Sequence, residues 1–259
     1  MKIWLFLRNI LFCILYGFDL LLGRRPGVVV LCYHSIGADW RFSSLPGEFR
    51  RQVGYLLKNF RIIDFTDLAN HLSGKINISG PAFLLTFDDG YRDILSEKNF
   101  LDNRGVRPVS FVLSQAGKAD RRQLENSLPL LSVGQLKYLV KSGWVIGSHG
   151  ATHADFNRLT PVQLIEETSG SKKTLEKSLA VRLVAFAYPK GRRGPGVLDY
   201  VRRSGYKYAF TVKAGYIVPG MDPWDLPRIG VDSTHRGWLF QAAFSPSVVK
   251  LRQLLERMI

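Results

Sequence analysis

PAFLLTFDDGYRD, residues 81–93, is an apolar run that ends in two adjacent carboxylates and a glycine. Phe83, Leu84, Leu85 and Phe87 leave no polar face, which is the pattern of a strand covered on both sides. Neighbours on a strand point to opposite faces. One aspartate after such a strand could cap a turn. Two, Asp88 and Asp89, suggest that one carboxylate holds something and the other acts on it.

The same reading extends along the chain. GVVVLCYHSIG (27–37), VRPVSFVLS (106–114), GWVIGSH (143–149), RLVAFAYP (182–189) and YKYAFTV (206–212) are further short apolar runs, and FRIID (60–64) can add another. Helical patterns lie between them. Residues 45–60 place Phe49, Val53, Leu56 and Leu57 on one face. Ser132 with Gln135, and Thr160 with Pro161 and Gln163, read as capped helix starts. Residues 194–206 read as a short helix ended by Gly205, and 245–259 as a helix with Val248, Leu251, Leu254, Leu255 and Met258 in one stripe. Strands alternating with helices predict a parallel sheet covered by helices. About seven such units fit a closed or nearly closed barrel, whose function sits at the carboxyl ends of its strands. No G-x-G-x-x-G follows the first strand, which removes a dinucleotide site.

Three of the five histidines also fall at strand ends: His34, His149 and His153. His149 and His153 are four apart, so a helical turn would put both imidazoles on one face, where they could share a metal. The residue after His149 is Gly150 and not the Glu of the metalloprotease motif, so a general base must come from another strand end, where Asp88 and Asp89 stand. Two His and one carboxylate leave a position open for water, as a catalytic metal needs.

TFDDGY followed by SHGATH resembles the polysaccharide deacetylase family, carbohydrate esterase family 4, over roughly residues 27–235. VLCYHSIG further resembles the branch of bacterial poly-N-acetylglucosamine deacetylases. The resemblance implies a distorted (β/α)7 barrel and hydrolysis of acetyl groups on sugars with one divalent metal ion, zinc first and cobalt or nickel as alternatives. It implies Asp88 as base, Asp89, His149 and His153 as metal ligands, and His34 as general acid in preference to His235, whose polar surroundings read as a loop. The family's R-x-P-Y motif maps onto AYPK, residues 187–190, where its Arg and Tyr are absent. The Lys190 backbone N–H is then the oxyanion donor, and Arg228 in LPRIGV is the candidate for steadying the base, against the alternative of a surface charge. Tyr91 beside the paired aspartates and Trp224, a sugar-stacking candidate, complete the substrate side. Cys32, two residues before His34, reads as a buried neighbour and not a nucleophile.

The implied function is removal of N-acetyl groups from an amino sugar in a bacterial surface polysaccharide, lipopolysaccharide or lipid-linked precursor. An O-deacetylase and a non-catalytic glycan- or membrane-binding barrel are the alternatives. The net charge of +15 is scattered and carries no nucleic-acid module, so the expected partners are the glycan and an anionic membrane surface, with no nucleic acid and the oligomeric state open. Two cysteines give no disulfide framework. Residues 1–25 are apolar but carry Arg8 and Asp19 and lack a small-residue cleavage site. They read as a membrane-associating helix, spanning or interfacial, before a barrel at 26–259, with the alternative of a helix packed on the domain. The corresponding location is the bacterial inner membrane, on either leaflet.

Overall fold

The computed structural model describes residues 2–256 except 120–123, 125–127, 192 and 195. Met258, the last position of the expected C-terminal stripe, lies outside the described residues. The strands are β1 (Val28–Tyr33), β2 (Ser35–Ile36), β3 (Ser43–Ser44), β4 (Arg61–Ile62), β5 (Ala82–Phe87), β6 (Val109–Val112), β7 (Val145–Ser148), β8 (Ala185–Ala187), β9 (Tyr208–Phe210) and β10 (Ile229–Gly230). The helices are α1 (Lys2–Leu21), α2 (Pro46–Asn59), α3 (Phe65–Leu72), α4 (Lys98–Asp102), α5 (Val133–Lys141), α6 (Pro161–Ile165), α7 (Ser171–Leu179), α8 (Val197–Arg203), α9 (Trp238–Ala242) and α10 (Pro246–Glu256). A π turn, Glu166–Gly170, joins α6 to α7.

The main sheet is parallel, in the order β10-β1-β5-β6-β7-β8-β9, with β4 also paired to β5. It curls into a half-barrel and does not close. Among the described residues its edges are linked by an isolated bridge from Phe210 to Leu226, not by a ladder. Of the closed or nearly closed barrel expected from the unit count, the closed form does not occur among the described residues. Both capping boxes read from the sequence form, Ser132 with Gln135 and Thr160 with Gln163.

Strand parity sorts the core. Val28 and Val30 of β1 and Ala82 and Leu84 of β5 pack inside the curl with Phe111, Phe210 and Leu226. Val29, Leu31 and Tyr33, with Phe83, Leu85 and Phe87, face the outer helices. By the same period of two, Cys32, His34, Thr86 and Asp88 belong to the inner set. Parity alone would send Asp89 outward.

No described helix is long and apolar enough to cross a membrane, which overturns the inner-membrane placement expected from the N-terminus. The apolar residues of α1 have a different use: Phe12 and Tyr16 are buried against Ala242 and Val248, with Leu15, Leu239 and Leu251 around them. The outer side of α1 leaves Leu7, Ile14 and Phe18 exposed. Asp19, a misfit in a spanning helix, is 1% exposed and accepts from the backbone N–H of Ser247 (2.8 Å) and from its hydroxyl (2.6 Å). It thus satisfies a donor of the first turn of α10 from outside that helix. Asp19→Ala is expected to lower stability by about 1–2 kcal/mol, the range of a lost helix cap. Urea unfolding would read this as a lower midpoint, and an unchanged midpoint would show that the contact holds nothing in place.

Candidate active site at the carboxyl ends of the strands

β1 and β5 pair residue for residue from Val28 with Ala82 to Tyr33 with Phe87, and the Asp88 N–H extends the ladder to Tyr33 O at 2.9 Å. His34 and Asp88 therefore leave the sheet side by side. Asp88 continues the inward parity. Asp89 does not continue the strand at all: its φ is +68°, in the left-handed region that non-glycine residues rarely occupy. That turn brings Asp89 to the same cavity as Asp88. This is how two adjacent carboxylates come to serve one site.

His149 follows β7 and its N–H donates to Val112 O at 2.9 Å. The segment to His153 is not the helical turn expected from the spacing. It is a tight loop in which Gly150 (φ +83°) and His153 (φ +63°) are both left-handed. A side chain at Gly150 would place its Cβ 2.6 Å from Glu167 Oε2. Glu167, buried in the π turn, accepts from the N–H groups of Ala151 (2.6 Å) and Thr152 (3.1 Å) and from the Thr152 hydroxyl. It fixes the loop between the two histidines. Left-handed backbone at Asp89 and His153, two non-glycine residues of one cluster, points to a functional constraint.

His149 Nε2 and His153 Nε2 each lie 3.4 Å from Asp89 Oδ1. His149 Nδ1 contacts Ala187 O at 2.8 Å, which assigns the proton to Nδ1 and leaves the Nε2 lone pair facing Asp89. Burial pushes His149 down, and burial with the His149 charge pushes His153 down to about 3, so these contacts are not ion pairs of imidazolium with carboxylate. Burial and the neighbouring Asp88 charge push Asp89 well above the ordinary carboxylate range. Asp89 Oδ1 is buried without a hydrogen-bond partner. One orphaned carboxylate oxygen and two neutral imidazoles are a donor set that a cation satisfies. Ligand atoms about 3.4 Å apart are what tetrahedral bonds of about 2.0–2.1 Å require. The residues present fit a divalent metal.

Asp88 is kept separate from this set by Arg228. The guanidinium Nη1 and Nη2 donate to the two carboxylate oxygens of Asp88, both at 2.7 Å. Nη1 also donates to Thr86 Oγ1 (3.1 Å) and Nε to Thr211 O (3.0 Å). Arg228 is 0% exposed, which disposes of the surface-charge alternative. Cys32 Sγ donates to Asp88 Oδ2 at 3.3 Å. Burial alone would raise Asp88, but the Arg228 charge, followed by His149 and the Arg228 hydrogen bonds, holds it well below its ordinary value.

His34 has a ring nitrogen within 4.8 Å of Cys32 Sγ and an Asp88 oxygen, and its Nδ1 is buried without a hydrogen-bond partner. Burial pushes it down to about 4, against the pull of Asp88. Its ring packs beside Trp40 (6.0 Å) and Phe42 (5.3 Å). His235 lines the same cavity, with Nδ1 2.9 Å from Asp232 Oδ1. Lys190 sits there in a left-handed turn (φ +59°), its Nζ 3.6 Å from Asp155. Tyr91 is fully buried with Trp40 5.4 Å away, and neither it nor Trp224 is among the lining residues. Trp224 donates its indole N–H to Tyr206 O (2.9 Å) under Arg202. Trp40, Arg41 and Phe42 do line the cavity, although nothing in their sequence pattern singled them out.

A family model described as polysaccharide deacetylase matches residues 75–209. The chain belongs to the polysaccharide deacetylase family. Enzymes of this family, carbohydrate esterase family 4, deacetylate polysaccharides. The chain is 25% identical over 215 residues to YxkH of Bacillus subtilis, whose name places it in the same family, covering 82% of this chain and 74% of that one. It is 25% identical over 115 residues to the poly-β-1,6-N-acetyl-D-glucosamine N-deacetylase of Staphylococcus aureus, a match to 40% of this chain and only 39% of the relative. The structure of IcaB from Ammonifex degensii superposes with a TM-score of 0.73 at 28% identity, covering 89% of this chain and 98% of that one.

Proposed function

We propose that this deacetylase hydrolyses N-acetyl groups on an amino sugar of a bacterial surface polysaccharide or its glycan precursor. The observation that carries the reading is the division of labour between adjacent carboxylates. Asp88 is kept ionised by Arg228, while Asp89 Oδ1 makes no hydrogen bond and lies 3.4 Å from two neutral imidazoles. Asp89, His149 and His153 hold one divalent ion, with zinc, cobalt and nickel all suited to imidazole donors. When bound, that ion supplies Lewis-acid polarisation and an activated water.

The chain's own groups do the rest. Asp88 accepts the proton of the attacking water; its oxygens keep lone pairs beyond those used by Arg228 and Cys32. The Lys190 backbone N–H, in a left-handed turn of a cavity-lining residue, serves the developing oxyanion. His34 receives the proton that Asp88 takes from the water and passes it to the departing amine. Neutral at rest, it gains basicity as negative charge builds on the tetrahedral oxygen beside it. Trp40 and Phe42 flank its ring and offer the sugar apolar faces. His235, its Nδ1 held by Asp232, is the alternative acid in the same cavity.

Purified protein given N-acetylglucosamine oligomers is expected to release acetate, to stop with chelator and to resume with zinc, cobalt or nickel. O-acetylated xylan should release less. Chelator-insensitive release, or release from the ester alone, would reject the proposal.

A further inference from the structure

Three arginines from distant parts of the chain are among the residues lining the active-site cavity: Arg8 of α1, Arg41 between β2 and β3, and Arg252 of α10. The hydrolysis proposed above uses none of them. The cavity measures about 880 Å³, near the upper end for small-molecule sites, so it has room beyond the sugar that carries the acetyl group.

Arg252 is the informative member. Its Nη1 is buried and has no hydrogen-bond partner. A buried charged donor left unmade is costly, so the position favours an acceptor that the protein itself does not provide. The nearby carboxylates, Asp232 and Glu256, line the same cavity and attract Arg252, but neither hydrogen-bonds its Nη1. Asp232 accepts from Thr234 and meets His235, and Glu256 accepts from the Ala214 N–H at 3.2 Å. Arg8 is steadied by Asn9 Oδ1 (3.0 Å from Nη2) and by the Phe12 ring, 5.6 Å from its guanidinium carbon. Arg41, 4.0 Å from Asp232, keeps an exposed side chain. Burial presses the Arg252 proton affinity down; the Glu256 and Asp232 charges oppose this and the Arg8 charge adds to it. Guanidinium forks match the planar or tetrahedral oxygens of carboxylate and phosphate.

We infer that Arg252, with Arg8 and Arg41 on the same cavity, forms an anion subsite, and that the substrate is an acetylated amino sugar carrying an oxyanion, either a phosphate ester on the sugar or a carboxylate beside it. This rests on the deacetylase reading of the neighbouring cluster but is tested apart from it. Calorimetric titration of the full chain at low ionic strength would compare N-acetylglucosamine, N-acetylglucosamine 1-phosphate and N-acetylmuramic acid, with metal and with chelator. At least one anionic sugar is expected to bind about 10–100-fold more tightly than the neutral one, the worth of one or two charge-assisted hydrogen bonds. Which of the two gains identifies the source of the anion. Arg252→Ala should remove most of the ratio, and Arg252→Lys, checked by thermal unfolding to be folded, should keep part of it. A ratio near one in the wild type, or a ratio untouched in both variants, overturns the subsite. So does a preference that disappears with chelator and ignores Arg252, since the anion would then sit on the metal. Acetate release from neutral oligomers with a ratio of one rejects the subsite and keeps the deacetylase. An Arg252-dependent ratio with no acetate release from any glycan does the reverse.

Discussion

Asp88→Asn is expected to lower acetate release by about 10²–10⁴-fold, the usual contribution of a general base. Asparagine keeps the shape of the side chain but not the charge that accepts the water's proton. The change is not silent for folding. Arg228 donates to both oxygens of Asp88, and an amide offers it one acceptor and one opposing NH₂ group. A fully buried guanidinium would lose its counter-charge, so a fall in unfolding temperature should accompany the loss of rate. Metal content should stay near one ion per chain, because Asp89, His149 and His153 are untouched. Elemental analysis of the variant separates the roles. Near-wild-type turnover would remove Asp88 as the base, and loss of the ion would make it a ligand instead.

The parts of this site that were legible in the sequence are those whose meaning is local. Asp88 and Asp89 end a run without a polar face, and the strand-end rule places His34, His149 and His153 at the same level. The parallel sheet follows from the same runs, because a strand covered on both faces leaves an unmistakable pattern. What was not legible depends on contacts between distant segments or on departures from regular backbone. Glu167 reads as an ordinary solvated charge on a helix, and only the π turn at Glu166–Gly170 aims it at the loop of the histidines. The spacing of His149 and His153 suggests a helix, yet two left-handed residues bring the imidazoles together, and no periodicity reports a single positive φ. β10 is too short to be seen, with two residues, although it seats the Arg228 segment against β1. The N-terminal segment has the composition of a membrane helix. Its Asp19 and Arg8 interrupt the apolar run because one meets α10 and the other lines the cavity.

Arg228→Met is expected to be the most destabilising single change at this site, at about 3–5 kcal/mol, the cost of leaving one member of a buried ion pair alone. Arg228 and Asp88 are 140 residues apart in sequence and both nearly sealed from solvent, at 0% and 2% exposure. Methionine fills much of the volume beside Phe111 and Phe210, over which the guanidinium now lies, so the loss is electrostatic more than steric. The sign of the accompanying pH effect follows from the pair. Burial raises Asp88 and Arg228 lowers it past its ordinary value. In the wild type the stabilisation from this pair is therefore complete above the unfolded carboxylate value, near 4, and is lost as pH falls toward the depressed folded value. Without Arg228, the largest influence opposing burial is gone and Asp88 rises. The base then becomes protonated within the working range, and the acidic limb of the pH–rate profile should move to higher pH. Lysine would restore charge but not the two-point fork, so Arg228→Lys should recover part of the stability and less of the rate. Because both groups serve one interaction, Asp88→Asn combined with Arg228→Met should cost less than the sum of the two changes. Additive costs, or an unmoved acidic limb in a folded Arg228→Met protein, would show that Arg228 does not tune the base.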